Sequence, residues 1–536
     1  MDAKHLREQS DDLFKKRLSL ILLWQEIAEN FYPERADFTT RRSLGTDFAG
    51  NLSTSYPIMC RRDLGDQFGA MLRPTEKQWF HMKPIDTRIE DNDSQRWLEW
   101  AQTVQRRAMY DPGAMLTRAT KEGDHDFAAF GQNVISIQLN RTADGLLYRC
   151  WHLRDVAWQE NEDGKVASVF RKWKPKAQEL QRLFPGKLDP KFDEIVRKRP
   201  FEEVDCLHMM VEADLYSDDA KGKPWWSIYY DCLHDKVIEA VAVWNKQYII
   251  PRWQTVSGSQ YAYSPATVAA LPDARLIQAM TSTLLQAGEK IVNPPMVAQQ
   301  SVVKSDVSIY PGGITWVDHD YDERLGDALR PLTTDHKGVP LSREMQQDTR
   351  AMIMQAFYLN KLSLPQRGPQ MTAYEIGQRV QEYIRGAMPI FEPMEADYNG
   401  ALCEETFDLM LRNGAFGSPD MMPRALAKAD IQFRFESPLH DAIEQQKGQK
   451  FVEMRSYLAE AMALDQSVLA LPDIKTALRD VLSGIGVPAR WIRNEADVQA
   501  MEEQQQQLQE TQQILQTMQQ AADVAATSGV DQEAVV

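Results

Sequence analysis

The stretch "QYIIPRWQTVSGSQYAYSPATVAALPDARLIQAM", residues 247–280, changes character half-way along, and that change governs the fold. Gln247 to Trp253 continues a run rich in β-branched and aromatic residues, the composition of strands. "SGSQYAYSP" is a turn. From Asp273 the apolar residues Leu276, Ile277, Met280, Leu284 and Leu285 recur at three- and four-residue steps until "NPP" stops the run. This spacing predicts a helix over Asp273 to Ile291, about 28 Å long at the usual rise.

Working upstream, residues 131 to 254 read as one α+β region. "NVISIQLNRTADGLLYRCWHLRDVAWQENEDGKVASVFRKWK" alternates apolar and polar residues around "ADG" and "EDG", which are turn signals. Pro175 to Phe184 reads as a short helix, and strands resume through "VDCLHMMVEADLY" and "WWSIYYDCLHDKVIEAVAVW". The segment before residue 131 is mostly helical. One helix is expected from Ala3 to Tyr32, with Leu6, Phe14, Leu18, Ile21, Leu22 and Phe31 near one stripe and Lys15, Lys16 and Arg17 off it. Others are expected over Pro57 to Leu72 and Ser94 to Met109.

Working downstream, residues 296 to 340 carry short strand and turn signals such as "VSIYPGGITWV", and a second helix covers Arg343 to Leu359. The two helices bracket the insertion as legs bracket a foot. After the loose "NKLSLPQRGP" a further helix starts with unusual definition. Thr372 is placed to cap it, Glu375 completes a capping box, and Met371 with Ile376 forms a hydrophobic staple. This helix runs towards Leu411, interrupted at Pro389 and Pro393. The strand-like "IQFRFESP" precedes helices over Leu439 to Ala470 and Ile474 to Leu482. In the Gln-rich tail Met501, Leu508 and Leu515 lie seven apart, and no Lys or Arg follows Arg493.

The formal charge of -16 over 536 residues argues against a broad electrostatic grip on nucleic acid, which needs cations against phosphates. Five cysteines, Cys60, Cys150, Cys206, Cys232 and Cys403, fit a reducing compartment better than a disulfide framework. "MDAKHLREQSDDLFKKR" lacks the apolar core of a secretion signal, and "LSLILLW" is too short to span a membrane, so a soluble intracellular product is expected.

Catalytic chemistry has few candidates. "CLH" occurs twice, and Cys206, His208, Cys232 and His234 could supply four zinc ligands if adjacent strands brought them together, although C-x-H is not the spacing of a zinc knuckle. This is the basis of an alternative function, a metal-assisted nuclease or related DNA-processing enzyme. Asp124, His125 and Asp126 of "GDHDF" read as a solvated helix edge. No phosphate-binding G-x-x-x-x-G-K-[ST] is present, so ATP-driven work would fall to another chain. Arg41, Arg42, Arg61, Arg62, Arg171 and Lys172 are scattered among acids, a pattern of solvated or intersubunit faces.

Three stretches in this order, "QYIIPRWQTVSGSQYAYSPATVAALPDARLIQAM…LLQAGEKIVNPP", "GPQMTAYEIGQRVQEYIRGAMPIFEPMEADY" and "FRFESPLHDAIEQQKG", resemble successive signatures of the head-to-tail connector, or portal, proteins of short-tailed, T7-like bacteriophages. The resemblance extends over most of residues 1 to 490. It implies an α+β portal fold with long stem helices, an α/β wing and clip and a helical crown, forming a ring of twelve subunits. By position, 1–263 would hold the N-terminal helices and wing, 264–291 the first stem helix, 292–340 the clip and 341–360 the second stem helix. Residues 361–371 would be a tunnel loop, 372–438 the long wing helix and strand, 439–495 the crown and 496–536 a polar tail. Lys361 and Arg367 would then approach DNA, with Thr372 and Glu375 as anchors of the loop.

The resemblance also implies a non-enzymatic role without cofactor, in the virion at the portal vertex after assembly in the host cytoplasm. Its partners would be further copies of the chain, the major capsid and scaffolding proteins, the terminase large subunit, tail adaptor proteins, internal core or ejection proteins, and double-stranded DNA passing through. A net-negative channel would repel the phosphate backbone and leave DNA free to move. In one place the chain departs from the family pattern: Ala262 and Tyr263 of "YAYSP" stand where it has Gly and Arg, while Ser264 and Pro265 keep the helix entry.

Overall fold

The computed structural model describes residues 2–362 except 41–42, 44, 76–77, 86–91, 218, 300–301, 304, 309–313, 323, 325 and 333–337; residues 386 and 393–435 except 419–420 and 427–429; residues 451–459; and scattered positions between 474 and 520. The chain forms two compact units, residues 1–75 with 109–409 and residues 76–108 with 410–536.

The expected single N-terminal helix is two, α1 (Ala3–Lys16) and α2 (Leu18–Phe31). Arg17 breaks it. Placed off the apolar stripe by periodicity, Arg17 is only 4% exposed, and its guanidinium donates to the carbonyls of Leu153 (2.8 Å), Val156 (2.5 Å) and Arg154. A buried charge survives because the strand-connecting turn converges three acceptors on it. The break also resets the helical phase, so Leu18 and Leu22, expected beside Leu6, are 62% and 63% exposed.

Next come α3 (Tyr56–Leu72), β1 (Phe80–Pro84), α4 (Asn92–Met109) and α5 (Leu116–Phe130). The α+β region follows with β2 (Ile135–Leu139), β3 (Leu146–Cys150), β4 (Val156–Glu160) and β5 (Val166–Trp173). Two short helices, α6 (Ala177–Leu183) and α7 (Phe192–Lys198), lead to β6 (Cys206–Glu212), the single turn α8 (Ala213–Tyr216), β7 (Trp225–Asp231) and β8 (Lys236–Val243). β4 to β8 make one antiparallel sheet in sequence order. Alternation along β6 divides its faces. Leu207, Met209 and Val211 pack with Leu6 of α1, and Cys206 packs with Leu180 of α6, Phe184 just past its end and Phe192 of α7.

β9 (Tyr248–Ile249) joins β2 and β3 in a second sheet, and β10 (Gln254–Thr255) pairs with β11 (Ala262–Tyr263). Then α9 runs over Pro265–Val292. It is longer than the Asp273 start predicted, because Pro272 lies inside it. The bond that Pro272 forfeits would have reached Val268, and both residues are exposed, so water can serve the orphaned carbonyl. After β12 (Met296–Ala298) and its antiparallel partner β13 (Leu329–Pro331) come α10 (Gly338–Ala356) and α11 (Leu359–Leu362). Residues 395–400 form a π turn before α12 (Ala401–Arg412), following Pro393, one of the two expected interruptions.

In the second unit β14 (Ile431–Phe435) pairs antiparallel with β1, from Phe80 opposite Phe435 to Pro84 opposite Ile431. Trp79 stacks on Phe435, and Trp97 packs against Phe416. Of the expected crown, residues 451–459 are helical, and most of 439–495 lies outside the described residues. No described helix is long and apolar enough to cross a membrane.

Candidate nucleic-acid interface at the helical hairpin

Helix α9 starts where α5 ends. The Ser264 hydroxyl donates to the Ala128 carbonyl and that of Thr267 to the Ala129 carbonyl, both at 2.7 Å, while Ser264 Oγ accepts from the Thr267 amide at 3.4 Å. One residue pair thus satisfies the start of one helix and the free carbonyls at the end of another. The close approach needs Gly131, whose φ is +74°, because a Cβ there would lie 2.1 Å from the Tyr263 carbonyl carbon. Tyr263 contributes backbone here, and it pairs with Gln254.

Burial then grades along the helix pair. On α9, Ala266, Thr267, Ala270, Leu271, Ala274 and Ile277 are buried, and nothing beyond Ile277 is. On α10 the buried residues are at the opposite end, Thr349 and Ile353, followed by Phe357. The two helices lie against each other, with Gln346 donating to the Thr281 hydroxyl at 2.8 Å. An antiparallel hairpin therefore projects from the core with its far halves exposed. Leu285, Leu341 and Met345 are among the exposed apolar residues, and in the insertion beyond it Ala328 is the single buried residue among those described, while Trp316 is 67% exposed.

The base of the hairpin is fastened by polar groups. The Gln278 side chain accepts from the amides of Ser53 (2.8 Å) and Thr54 (3.0 Å) and donates to the Thr54 carbonyl (2.9 Å). Arg275 pairs with Glu26 at 2.7 Å, and Phe357 packs on Phe31 with ring centroids 5.4 Å apart. No spacing rule marks Gln278, because its partners are 224 and 225 residues away in the chain. Past this base, Lys361 is exposed, with its ammonium 5.8 Å from the Tyr358 ring centroid. Arg367, Thr372 and Glu375 lie outside the described residues.

The profile of the family described as "Bacteriophage head to tail connecting protein" matches residues 3–492. The chain belongs to this family. Among its relatives, the "Probable portal protein" of Bordetella phage BPP-1 is 23% identical over 459 residues, covering 82% of this chain and 80% of the relative. The "Portal protein" of Salmonella phage epsilon15 is 22% identical over 303 residues, 56% of this chain and 53% of that one. Two solved assemblies, "Virion of native gene transfer agent (GTA) particle" and "Neck of empty GTA particle computed with C6 symmetry", contain chains 9% identical to this one. Each match covers 80% of this chain and 95% of the other, at TM-scores of 0.36 and 0.35.

In this connecting protein the two C-x-H motifs do not meet. Cys206 faces Asp231 and His208 faces Tyr229 in the sheet register, and Cys232 packs towards α1 while Cys206 packs towards α6 and α7. Both nitrogens of buried His208 are engaged, Nδ1 with the Tyr248 hydroxyl (2.6 Å) and Nε2 with Ser227 (3.0 Å), and His234 Nδ1 is 2.6 Å from Asp231. Burial pushes the thiols of Cys206 and Cys232 above their ordinary pKa, that of Cys232 to about 11. A thiolate ligand needs the reverse. Among the described residues no group of three or more His, Cys, Asp and Glu could hold a metal, so nothing supports the nuclease alternative.

"GDHDF" is not a solvated edge either. Asp124 and Asp126 are buried on α5, paired with Arg73 and Arg35. Arg61 and Arg171, read as surface bases, are buried too: Arg61 donates to the Phe31 carbonyl and lies 3.8 Å from the Tyr32 ring centroid, and Arg171 lies 3.9 Å from that of Trp151. Lys172 and Arg62 are exposed, and Arg41 and Arg42 lie outside the described residues.

Proposed function

We propose that twelve copies of this chain close into a portal ring at one capsid vertex, with double-stranded DNA passing through the centre during packaging and again during ejection. The carrying observation is the α9–α10 hairpin: its far halves expose apolar side chains, and the insertion it bears has almost no core among its described residues. Such an element gains stability from neighbours, and head-to-tail contacts between identical subunits close into rings. In this reading 264–291 and 341–360 are the stem, 292–340 is the clip that meets the terminase large subunit and later tail adaptors, and 1–263 with 372–438 is the wing beside the capsid and scaffolding proteins. Residues 439–495 are the crown, towards internal core or ejection proteins.

The tunnel loop, 361–371, bears Lys361 and Arg367 towards the DNA and is anchored by Thr372 and Glu375. The role requires no catalysis and no cofactor. Native mass spectrometry with ring images of the purified chain tests it: a discrete dodecamer with a central hole, formed without nucleotide, is expected. Monomers or open oligomers at high concentration would sink the proposal.

A further inference from the structure

Between α10 and α11 the chain passes through Tyr358 at φ +58°. Bulky residues rarely take this left-handed conformation, and glycine or asparagine is the usual occupant just past a helix end. A tyrosine there points to a constraint that outweighs the strain. The constraint is visible in the positions on either side. Ile353, Phe357 and Lys361 are spaced by four, so a helix continued straight from α10 would set all three on one face. Ile353 and Phe357 are fully buried. A straight continuation would aim the Lys361 ammonium at the same apolar side, at a heavy desolvation cost.

The break prevents this. The Lys361 amide bonds to the Tyr358 carbonyl at 2.9 Å in place of the Phe357 carbonyl that a regular helix would use, and the lysine side chain is exposed. The Tyr358 ring holds the turn from two sides, 6.3 Å from the ring of buried Trp253 and 5.8 Å from the Lys361 ammonium.

We propose that Tyr358 is a positioning residue: its left-handed turn rotates Lys361 off the buried face of the stem and presents the ammonium to the phosphate backbone. The purpose rests on the portal reading, whereas the geometry does not, so its test uses no DNA. The rate at which an amine-acylating reagent modifies Lys361 in the folded full-length protein is read by mass spectrometry for wild type, Tyr358→Gly, Tyr358→Asn and Tyr358→Ala, together with hydrogen exchange over residues 353–362.

All three variants lack the ring, so differences among them report the backbone. Glycine and asparagine tolerate the left-handed turn, and alanine favours the straight helix. Lys361 in Tyr358→Gly and Tyr358→Asn is expected to label within about twofold of wild type. In Tyr358→Ala it is expected to label about fivefold more slowly, or the joint to exchange about fivefold faster as it frays, the ratio set by the helix preference of Ala over Gly. Equal labelling and equal exchange in the glycine and alanine variants overturn the proposal. Photocrosslinking DNA to residue 361 in packaging particles tests the portal reading separately.

Discussion

Asp124 on α5 is 2% exposed and rests both carboxylate oxygens on the guanidinium of Arg73, just past the end of α3, whose other nitrogen donates to Asn399 in the π turn at 2.7 Å. One buried cation therefore ties together three segments. Burial works against the Arg73 charge, but the Asp124 carboxylate more than offsets it and leaves the arginine pKa above its ordinary value. Arg73→Met strands a buried carboxylate, and the expected loss is about 3–5 kcal/mol. Arg73→Met with Asp124→Leu should recover much of that, because the stranded charge is gone. Guanidinium unfolding curves of the two variants, followed by tryptophan fluorescence, check this.

His208 gives the protein an acid-sensitive core. Burial first, and the positive charge of nearby Arg171 second, push its pKa well below 6.5, so the folded state keeps it neutral between Tyr248 and Ser227. Unfolded, it takes up a proton below about pH 6.5. The stabilisation is complete above that pH and declines as pH falls towards the lowered folded value, by about 1.4 kcal/mol per unit for one histidine. His125 and His152 are shifted the same way, mainly by burial. Stability should therefore fall from pH 7 to pH 5, and His208→Gln should make that slope shallower by one proton. An unchanged slope in unfolding midpoints across this range would contradict it.

The elements whose evidence is periodic were legible. The strands around "ADG" and "EDG", α3, α4 and the two legs of the hairpin all follow from local spacing. What escaped was charge placement. Arg17, Arg61, Arg73 and Arg171 are buried because carbonyls, carboxylates and aromatic faces from distant segments converge on them, and no local window contains those partners. Pro272 misled for the opposite reason: the rule that proline ends a helix is local, and exposure on both sides of the lost bond relaxed it. Of the candidate loop, Lys361 falls in the short helix α11 with its side chain exposed, and Tyr358 gave no signal because a left-handed tyrosine has no composition signature.

The joint between α5 and α9 should tolerate almost nothing. Gly131→Ala adds both left-handed strain and a methyl group 2.1 Å from the Tyr263 backbone, which cannot yield without displacing the start of α9. A loss well above 1 kcal/mol is expected, seen as low soluble yield or a depressed melting temperature. Ser264→Ala removes only the cap and its bond to Ala128, about 1 kcal/mol.

If residues 361–371 form the proposed tunnel loop, Thr372→Ala should loosen its anchor. The sequence predicts a capping box with Glu375 and a staple of Met371 on Ile376, and losing such a cap costs about 1 kcal/mol locally. Trypsin should then cut faster after Arg367 in assembled rings. Unchanged cleavage would mean that other contacts hold the helix start.

The exposed apolar side of the hairpin separates folding from assembly. Leu285 on α9 and Met352 on α10 are 59% and 57% exposed, so replacing both with Gln removes little that the single chain buries. The melting temperature of the unassembled chain should move by no more than a surface substitution does, about 0.5 kcal/mol in stability. Ring formation should behave differently. If neighbouring stems cover these residues, each interface loses two apolar contacts, and closure multiplies that loss around the ring. Sedimentation at matched concentrations should show the variant shifted from rings towards small oligomers, with a circular dichroism spectrum like that of wild type. Rings that form as readily as wild type would leave this side facing solvent or DNA, and the subunit contacts would have to be sought on the insertion instead.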